Sequence, residues 1–332
     1  MKSFKKAAVL YHYPCPDGAF AALAAHLYFS AASLPVAFFP NPVYDPISID
    51  SLPLDELSDV YLLDFVGPPG FVARLSSKVD SVTVLDHHKT ALEIIDENAS
   101  EFGNIYKVID MERSGATIAY SYFYDKLLRK GTLPETHGGE CNHNFLPENK
   151  VEKVYSLFKF IEDGDLWRWE LPHSRAFSNG LKDLNIEYDV NRNSCLFDQL
   201  MNLDPDLLIS LGKDTFAYKQ KLMDEALDQS YEITLGCGLF GHCLAVNADY
   251  ISQLRSELGH QLAVKSRNLN LRGIGAVVYK VPRLKNVHML KVSLRSLDLE
   301  DTTPISQEYG GGGHRNASSF ILNANEFIKW KV

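Results

Sequence analysis

Carboxylates and imidazoles recur at the ends of four apolar segments in the first half of the chain. Val82-Thr83-Val84-Leu85 runs into Asp86-His87-His88-Lys89-Thr90, and Val60-Tyr61-Leu62-Leu63 runs into Asp64. Ala7-Ala8-Val9-Leu10-Tyr11 leads to His12 and, through Tyr13-Pro14-Cys15-Pro16, to Asp17-Gly18. A helix-like run from Val154 to Ile161 reaches Glu162-Asp163-Gly164-Asp165. One Asp-His pair after a strand would read as a solvated turn. Four such ends, all carrying imidazole or carboxylate and no cluster of thiols, suggest ligands for a borderline-hard divalent ion.

Delivering these groups to one place requires elements that end together. Runs of β-branched and aliphatic residues without alternation are what strands buried on both faces look like, and parallel strands gather their carboxyl ends along one edge of an open α/β sheet. Val36-Ala37-Phe38-Phe39 and Ile105-Ile109 supply further strands. The alanine-rich Ala19–Leu27 is a helix by propensity, so Asp17-Gly18 is a strand-to-helix turn. Phe65-Val66-Gly67-Pro68-Pro69-Gly70 stops the strand before it, and Ser114 is an N-cap for a helix through Leu128. Helix Val151–Ile161 presents the last carboxylates, after which Trp167 and Trp169 are read as core or hinge packing and not as a base-stacking platform.

Residues 131–150 read as a flexible insertion. Its His137, Cys141 and His143 are too loosely spaced, and lack the fourth partner, for a zinc site. From Asp198 to Tyr231 the pattern is helical, with Leu203–Leu227 amphipathic. Strands at Tyr231–Leu235, Cys243–Val246, Gly275–Tyr279 and Met289–Ser296, with a helix over Tyr250–Lys265, then build a second α/β domain. The expected fold class is therefore α/β: a doubly wound, mostly parallel N-terminal domain over 1–190, a helical connector over 191–230, and a smaller C-terminal domain over 231–332, with the active site in the cleft between domains.

Length and composition agree with this plan. The 332 residues allow two cores, and 45% hydrophobic with 23% charged residues is ordinary for a globular protein. A formal net charge of −9 works against long duplex nucleic acid as a partner and favours a small substrate. No run of apolar residues long enough for a membrane span occurs, and Met1-Lys2-Ser3-Phe4-Lys5-Lys6 passes directly into a strand, so neither a membrane partner nor a secretory signal is expected. Five scattered cysteines suit a reducing compartment such as the cytoplasm. A homo-oligomer is left open.

The triplet Asp86-His87-His88, the Asp-bearing segments before and after it, and Gly310-Gly311-Gly312-Gly313-His314-Arg315-Asn316-Ala317 near the C-terminus resemble the DHH phosphoesterase superfamily with its glycine-rich associated domain. The resemblance implies two Mn²⁺ ions, with Mg²⁺ or Co²⁺ as substitutes. It makes Asp64 the bridging ligand, with His12 at the first ion, and Asp17, His87 and Asp163 at the second, Asp165 being the alternative to Asp163. Asp86 would orient His87, and His88 would bind a phosphoryl oxygen or protonate the leaving group. Cys15 stands where the family has an acidic residue, which leaves the first site weakened, altered toward softer ions or shifted, and makes Cys15 either a candidate thiolate ligand or a small buried residue.

In the second domain, Gly311, Gly312 and Gly313 let the backbone approach a phosphate and present N–H groups to it, beside His314 and Arg315. Arg295, two residues beyond Ser293 on one strand face, offers a planar fork to a distal phosphate or carboxylate. The resulting expectation is a phosphoesterase cleaving a phosphodiester or phosphomonoester of a small nucleotide, a cyclic nucleotide or a very short oligonucleotide with a metal-activated water. The alternatives are a pyrophosphatase or exopolyphosphatase and, because of Cys15, a catalytically weak nucleotide-binding protein.

Overall fold

The computed structural model describes residues 5–42, 45–89, 91–92, 103–131, 145–146, 148–251, 254–280, 288–297 and 299–332. These fall into two compact units, Met1–Thr215 and Phe216–Val332. The division lies inside the helix Pro205–Asp228.

The first unit is built on a five-stranded sheet of β1 (Lys6–Tyr13), β2 (Val36–Pro42), β3 (Leu57–Leu63), β4 (Ser81–Asp86) and β5 (Ile105–Ile109) in the order β2-β1-β3-β4-β5. All four pairings are parallel. Strand order reverses at β1, so the chain leaves the paired strands β1 and β3 toward opposite faces and opens a crevice at their carboxyl ends, the place where open α/β sheets carry their sites. The strands read as continuous apolar runs because both faces are covered. One face packs on α1 (Pro16–Ala31), α3 (Gly115–Gly131), α4 (Glu148–Asp165) and α5 (Ser174–Asp183), and the other on α2 (Phe71–Ser76) and two short 3₁₀ turns. Helix α1 is buried almost all round, from Ala19 through Ala25, and its alanines let it lie close to the sheet and to α3 at once. Pro16 opens α1 at a position where the missing N–H has no partner to lose.

The expected strands and helices of this unit are present within a few residues of their anticipated limits. Ser114 caps α3 through a hydrogen bond from the Thr117 amide at 3.4 Å. Helices α2 and α5 had no counterpart in the sequence reading, nor had α6 (Leu196–Asn202) as an element separate from α7 (Pro205–Asp228). Of the expected insertion, Gly131 ends α3, buried Phe145 and Leu146 join the core, and 148–150 open α4. His137, Cys141, His143 and Thr90 lie outside the described residues.

The second unit carries a six-stranded mixed sheet in the order β10-β11-β9-β8-β7-β6, formed by β6 (Tyr231–Thr234), β7 (His242–Asn247), β8 (Ile274–Lys280), β9 (Met289–Ser296), β10 (Gly312–His314) and β11 (Ala317–Asn323). Only β7 and β8 pair parallel, and their crossover is α8 (Arg255–Asn268), which begins later than the expected Tyr250. Strands β10 and β11 were not anticipated. The sheet buries Val292, Leu294 and Phe320 on one face, with α9 (Thr303–Glu308) and α10 (Ala324–Ile328) adding Ile305 and Phe327. Its other face packs Leu244, Val246 and Val277 on α8.

Candidate metal centre

The carboxyl ends of β1, β3 and β4 bring His12, Asp64, Asp86, His87 and His88 together, and α1 and α4 add Asp17 and Asp165. His12 Nδ1 lies 3.0 Å from Asp64 Oδ2. His87 Nε2 lies 3.1 Å from Asp64 Oδ1, 3.5 Å from Asp165 Oδ2 and 3.8 Å from Asp17 Oδ2. Cys15 joins His12 and Asp64 in a group whose ligand atoms lie within 4.8 Å of one another.

Each ligand has a local reason for its position. Asp64 leaves β3 in the left-handed conformation, with φ 64°, and its amide donates to Leu85 O at 2.9 Å, so the carboxylate turns back over the strand ends. That conformation is costly for a residue other than glycine and persists only where the surroundings impose it. Asp17 accepts from the amides of Gly115 at 2.7 Å and Ala116 at 3.0 Å, the first free N–H groups of α3, so a helix N-terminus holds this carboxylate in place. Glu162 in turn accepts from the Ser114 amide at 3.1 Å and from the Thr117 hydroxyl, tying α4 to the start of α3. Gly115 is the only residue type that fits there: a Cβ would sit 2.7 Å from Asp64 Cβ and 2.9 Å from Asp17 Oδ2.

Asp86 behaves differently from the expectation that it orients His87. Its Oδ1 accepts from His88 Nδ1 at 2.8 Å and from the amides of His87 at 2.7 Å and His88 at 3.2 Å, so the ring it fixes is that of His88. Asp163 also differs in place. Its carboxylate accepts from the amides of Glu170 at 2.9 Å and Leu171 at 3.4 Å, bracing the turn after α4, and the acidic side chain that reaches the cluster is Asp165.

The charges are strongly coupled. Burial and the carboxylates of Asp64 and Asp165 push Asp17 well above the usual carboxylate range, and burial with Asp64 raises Asp165. Burial would also raise Asp64, but the His12 hydrogen bond and the charges of His12 and His87 outweigh it and bring Asp64 down to about 2. His87 is lowered by burial and raised more by Asp64, Asp17 and Asp165, to about 9. His88 is raised, first by its hydrogen bond to Asp86.

This donor set fits a cation. Asp64 Oδ1 and Asp165 Oδ2 are buried and receive no hydrogen bond from the described residues, the His87 contacts being close charge contacts without hydrogen-bond alignment. Adjacent ligands on an octahedral ion at about 2.1 Å lie about 3 Å apart, which is the spacing of His12, Asp64 and His87.

Curated relatives add the sequence context. An uncharacterised protein of Acanthamoeba polyphaga mimivirus is 26% identical over 326 residues, covering 95% of this chain and 67% of that one. Oligoribonuclease NrnB of Bacillus subtilis is 22% identical over 275 residues, covering 82% of this chain and 58% of that one. The likeness to each runs along most of this chain. It spans between about half and two thirds of the length of these relatives. Among solved structures, exonuclease RecJ bound to manganese matches at 13% identity with a TM-score of 0.48, covering 98% of this chain and 87% of that one. No family model matches.

The segment with the glycine run is less open than its composition suggests. Gly312–His314 is a strand paired with β11. A Cβ on Gly311 would meet Ser319 O at 2.2 Å and one on Gly313 would meet Ala317 O at 2.5 Å, so both glycines permit close packing of backbones. The Gly311 amide already donates to Ser306 O at 2.8 Å. Arg295 donates to Ser256 Oγ at 3.0 Å, Ser293 Oγ at 3.2 Å and Leu294 O at 2.9 Å, so most of its fork is engaged inside the unit. The register places Ser293 beside Ser319 and Gly312, and Arg295 beside Ala317 and His314, on one face of the sheet. His314 and Arg315 are exposed. Sequence reasoning passed over Gly115, Glu162 and Ser256, which position the ligands and the arginine. It also placed Trp167 in packing, whereas the indole is 50% exposed.

Proposed function

We propose that this chain is a divalent-metal-dependent phosphoesterase that hydrolyses a nucleotide or a very short oligonucleotide. The observation that carries the reading is the convergence of Asp17, Asp64, Asp165, His12 and His87 on one crevice, with two buried carboxylate oxygens that receive no hydrogen bond from the described residues. His12, Cys15 and Asp64 would hold one ion, and Asp17, Asp64, His87 and Asp165 the other, with Asp64 between them; Mn²⁺ is the leading ion. Such a pair supplies an activated water and neutralises charge on the attacking and leaving oxygens.

The chain's own residues supply the remainder. The Asp86 carboxylate holds the His88 ring, and its charge favours a proton on His88, so that His88 can donate to a leaving oxygen. The amides that open α3 hold Asp17 against the repulsion of two other carboxylates. On the second unit, Ser293, Arg295, Gly312, Gly313, His314 and Arg315 form a candidate substrate-binding face. NrnB's name as an oligoribonuclease supports the short-oligonucleotide substrate for this chain.

Purified protein should contain or take up Mn²⁺ and hydrolyse a diribonucleotide, and Asp64→Asn should abolish turnover with the fold intact. Activity on pyrophosphate or polyphosphate with none on nucleotides would replace the reading with a pyrophosphatase. Metal binding without turnover on any of them would leave a binding protein.

A further inference from the structure

A cavity of about 490 Å³ opens beside the metal centre within the first unit and shares Asp17 and Asp165 with it. Phe160, Phe177, Ile186, Tyr188 and the half-exposed Trp167 line it. Lys182 and Asn185, both exposed, add the polar groups. Trp167 takes the left-handed conformation, with φ 54°, is 50% exposed, and meets Trp169 edge-on at 5.7 Å between centroids. A strained backbone that presents a half-exposed indole beside a catalytic crevice is better explained by a ligand than by packing.

The chemistry of the lining selects the ligand. A polyphosphate tail would find a single lysine among aromatic and aliphatic side chains, too little positive charge to hold it. A nucleobase has two π faces for aromatic walls and a hydrogen-bonding edge for an amide such as Asn185, and the volume holds a purine with its ribose. Resting on the phosphoesterase reading, we propose that this cavity is a nucleobase subsite, in which Trp167 stacks on the base of the nucleotide whose phosphate lies at the metal centre.

The test is calorimetric binding of adenosine 5′-monophosphate, ribose 5-phosphate and inorganic phosphate to the full Mn²⁺-loaded chain. Loss of one base–aromatic stack is worth on the order of ten- to a hundredfold in affinity. Wild type should therefore bind adenosine 5′-monophosphate more tightly than ribose 5-phosphate by about that factor. Trp167→Ala should erase the difference and Trp167→Phe should restore most of it. Ser178→Trp, which fills the cavity from its lining on α5, should also erase it and guards against misfolding of the first variant. Equal affinity for the two sugar phosphates in wild type, or a difference that survives both Trp167→Ala and Ser178→Trp, overturns the subsite and leaves the phosphoesterase reading standing. If none of the three compounds binds, both fall.

Discussion

Gly115→Ala tests the geometry of the centre without removing a ligand. Gly115 opens α3, its amide holds Asp17 Oδ2 at 2.7 Å, and an added methyl would lie 2.7 Å from Asp64 Cβ, 2.9 Å from Asp17 Oδ2 and 3.0 Å from Asp64 Oδ1. Carbon atoms in contact normally stand about 3.5–4.0 Å apart, so the two must separate by roughly 1 Å. Asp64 Cβ cannot rotate away, because it is attached to a backbone held in the left-handed conformation. The strain must therefore shift the end of β3 or the start of α3, and either moves two ligands.

Overpacking of this kind costs about 1–3 kcal/mol, and for a unit the size of Met1–Thr215 each kcal/mol lowers Tm by about 2–4 °C. The protein should stay folded. A displacement of about 1 Å in a positioned group can cost about a hundredfold in rate, so kcat/KM for a diribonucleotide should fall by that order, with weaker Mn²⁺ retention on dialysis. Circular dichroism melting, metal analysis and hydrolysis, each measured on wild type and on the variant, form the assay. Gly103→Ala is the control, since nothing lies within 4 Å of its Cβ position. Wild-type metal content and turnover in Gly115→Ala would refute the close packing of Asp17, Asp64 and α3.

The two acidic residues that end α4 should separate cleanly. Asp165→Asn should lose metal and turnover at near-wild-type stability, whereas Asp163→Asn should lower Tm and keep its metal, and the reverse pattern would return Asp163 to the ligand set. With its pKa raised to about 9 in the metal-free protein, His87 is protonated at neutral pH. Its contribution to metal-free stability is complete below the ordinary histidine pKa of about 6.5 and is lost as pH rises through 9. Metal must displace that proton, so apparent Mn²⁺ affinity should climb by up to about tenfold per pH unit below 9, with proton release seen by calorimetry in buffers of different ionisation enthalpy; affinity flat from pH 7 to 9 would contradict this. If Cys15 is a ligand, Co²⁺-loaded protein should show a thiolate-to-cobalt band in the near ultraviolet that Cys15→Ser removes, and an unchanged spectrum would exclude it. Arg295→Ala should lower the melting temperature through loss of the Ser256 and Ser293 contacts and raise KM for nucleotides more than for p-nitrophenyl phosphate; equal loss on both would place Arg295 at the reacting phosphate.

What the sequence makes legible is set by the range of the forces involved. Strands β1, β3 and β4 are readable because burial on both faces leaves apolar runs, and the polar residue that stops each run marks the carboxyl edge of the sheet, where the crevice lies. Strands β10 and β11 are hidden for the opposite reason: glycines that serve close backbone approach look like a loose turn until the partner strand is known. Helix α5 gives little signal because His173 before it is left-handed with no capping hydrogen bond and Gly180 interrupts it where Leu208 O crosses.

The choice between Asp163 and Asp165 is equally invisible, since two positions differ by about 200° around a helix and only its orientation decides which one faces the metals. That orientation follows from the turn at Trp167 and Trp169, both left-handed, which brings the Glu170 and Leu171 amides back onto Asp163 and leaves Asp165 free of them. The same turn sets Trp167 in the cavity lining. One local conformation that propensity would not choose thus places both the last carboxylate and the indole, so a substitution that disfavours it, such as Trp169→Val, should weaken Mn²⁺ retention and erase the preference for adenosine 5′-monophosphate over ribose 5-phosphate together.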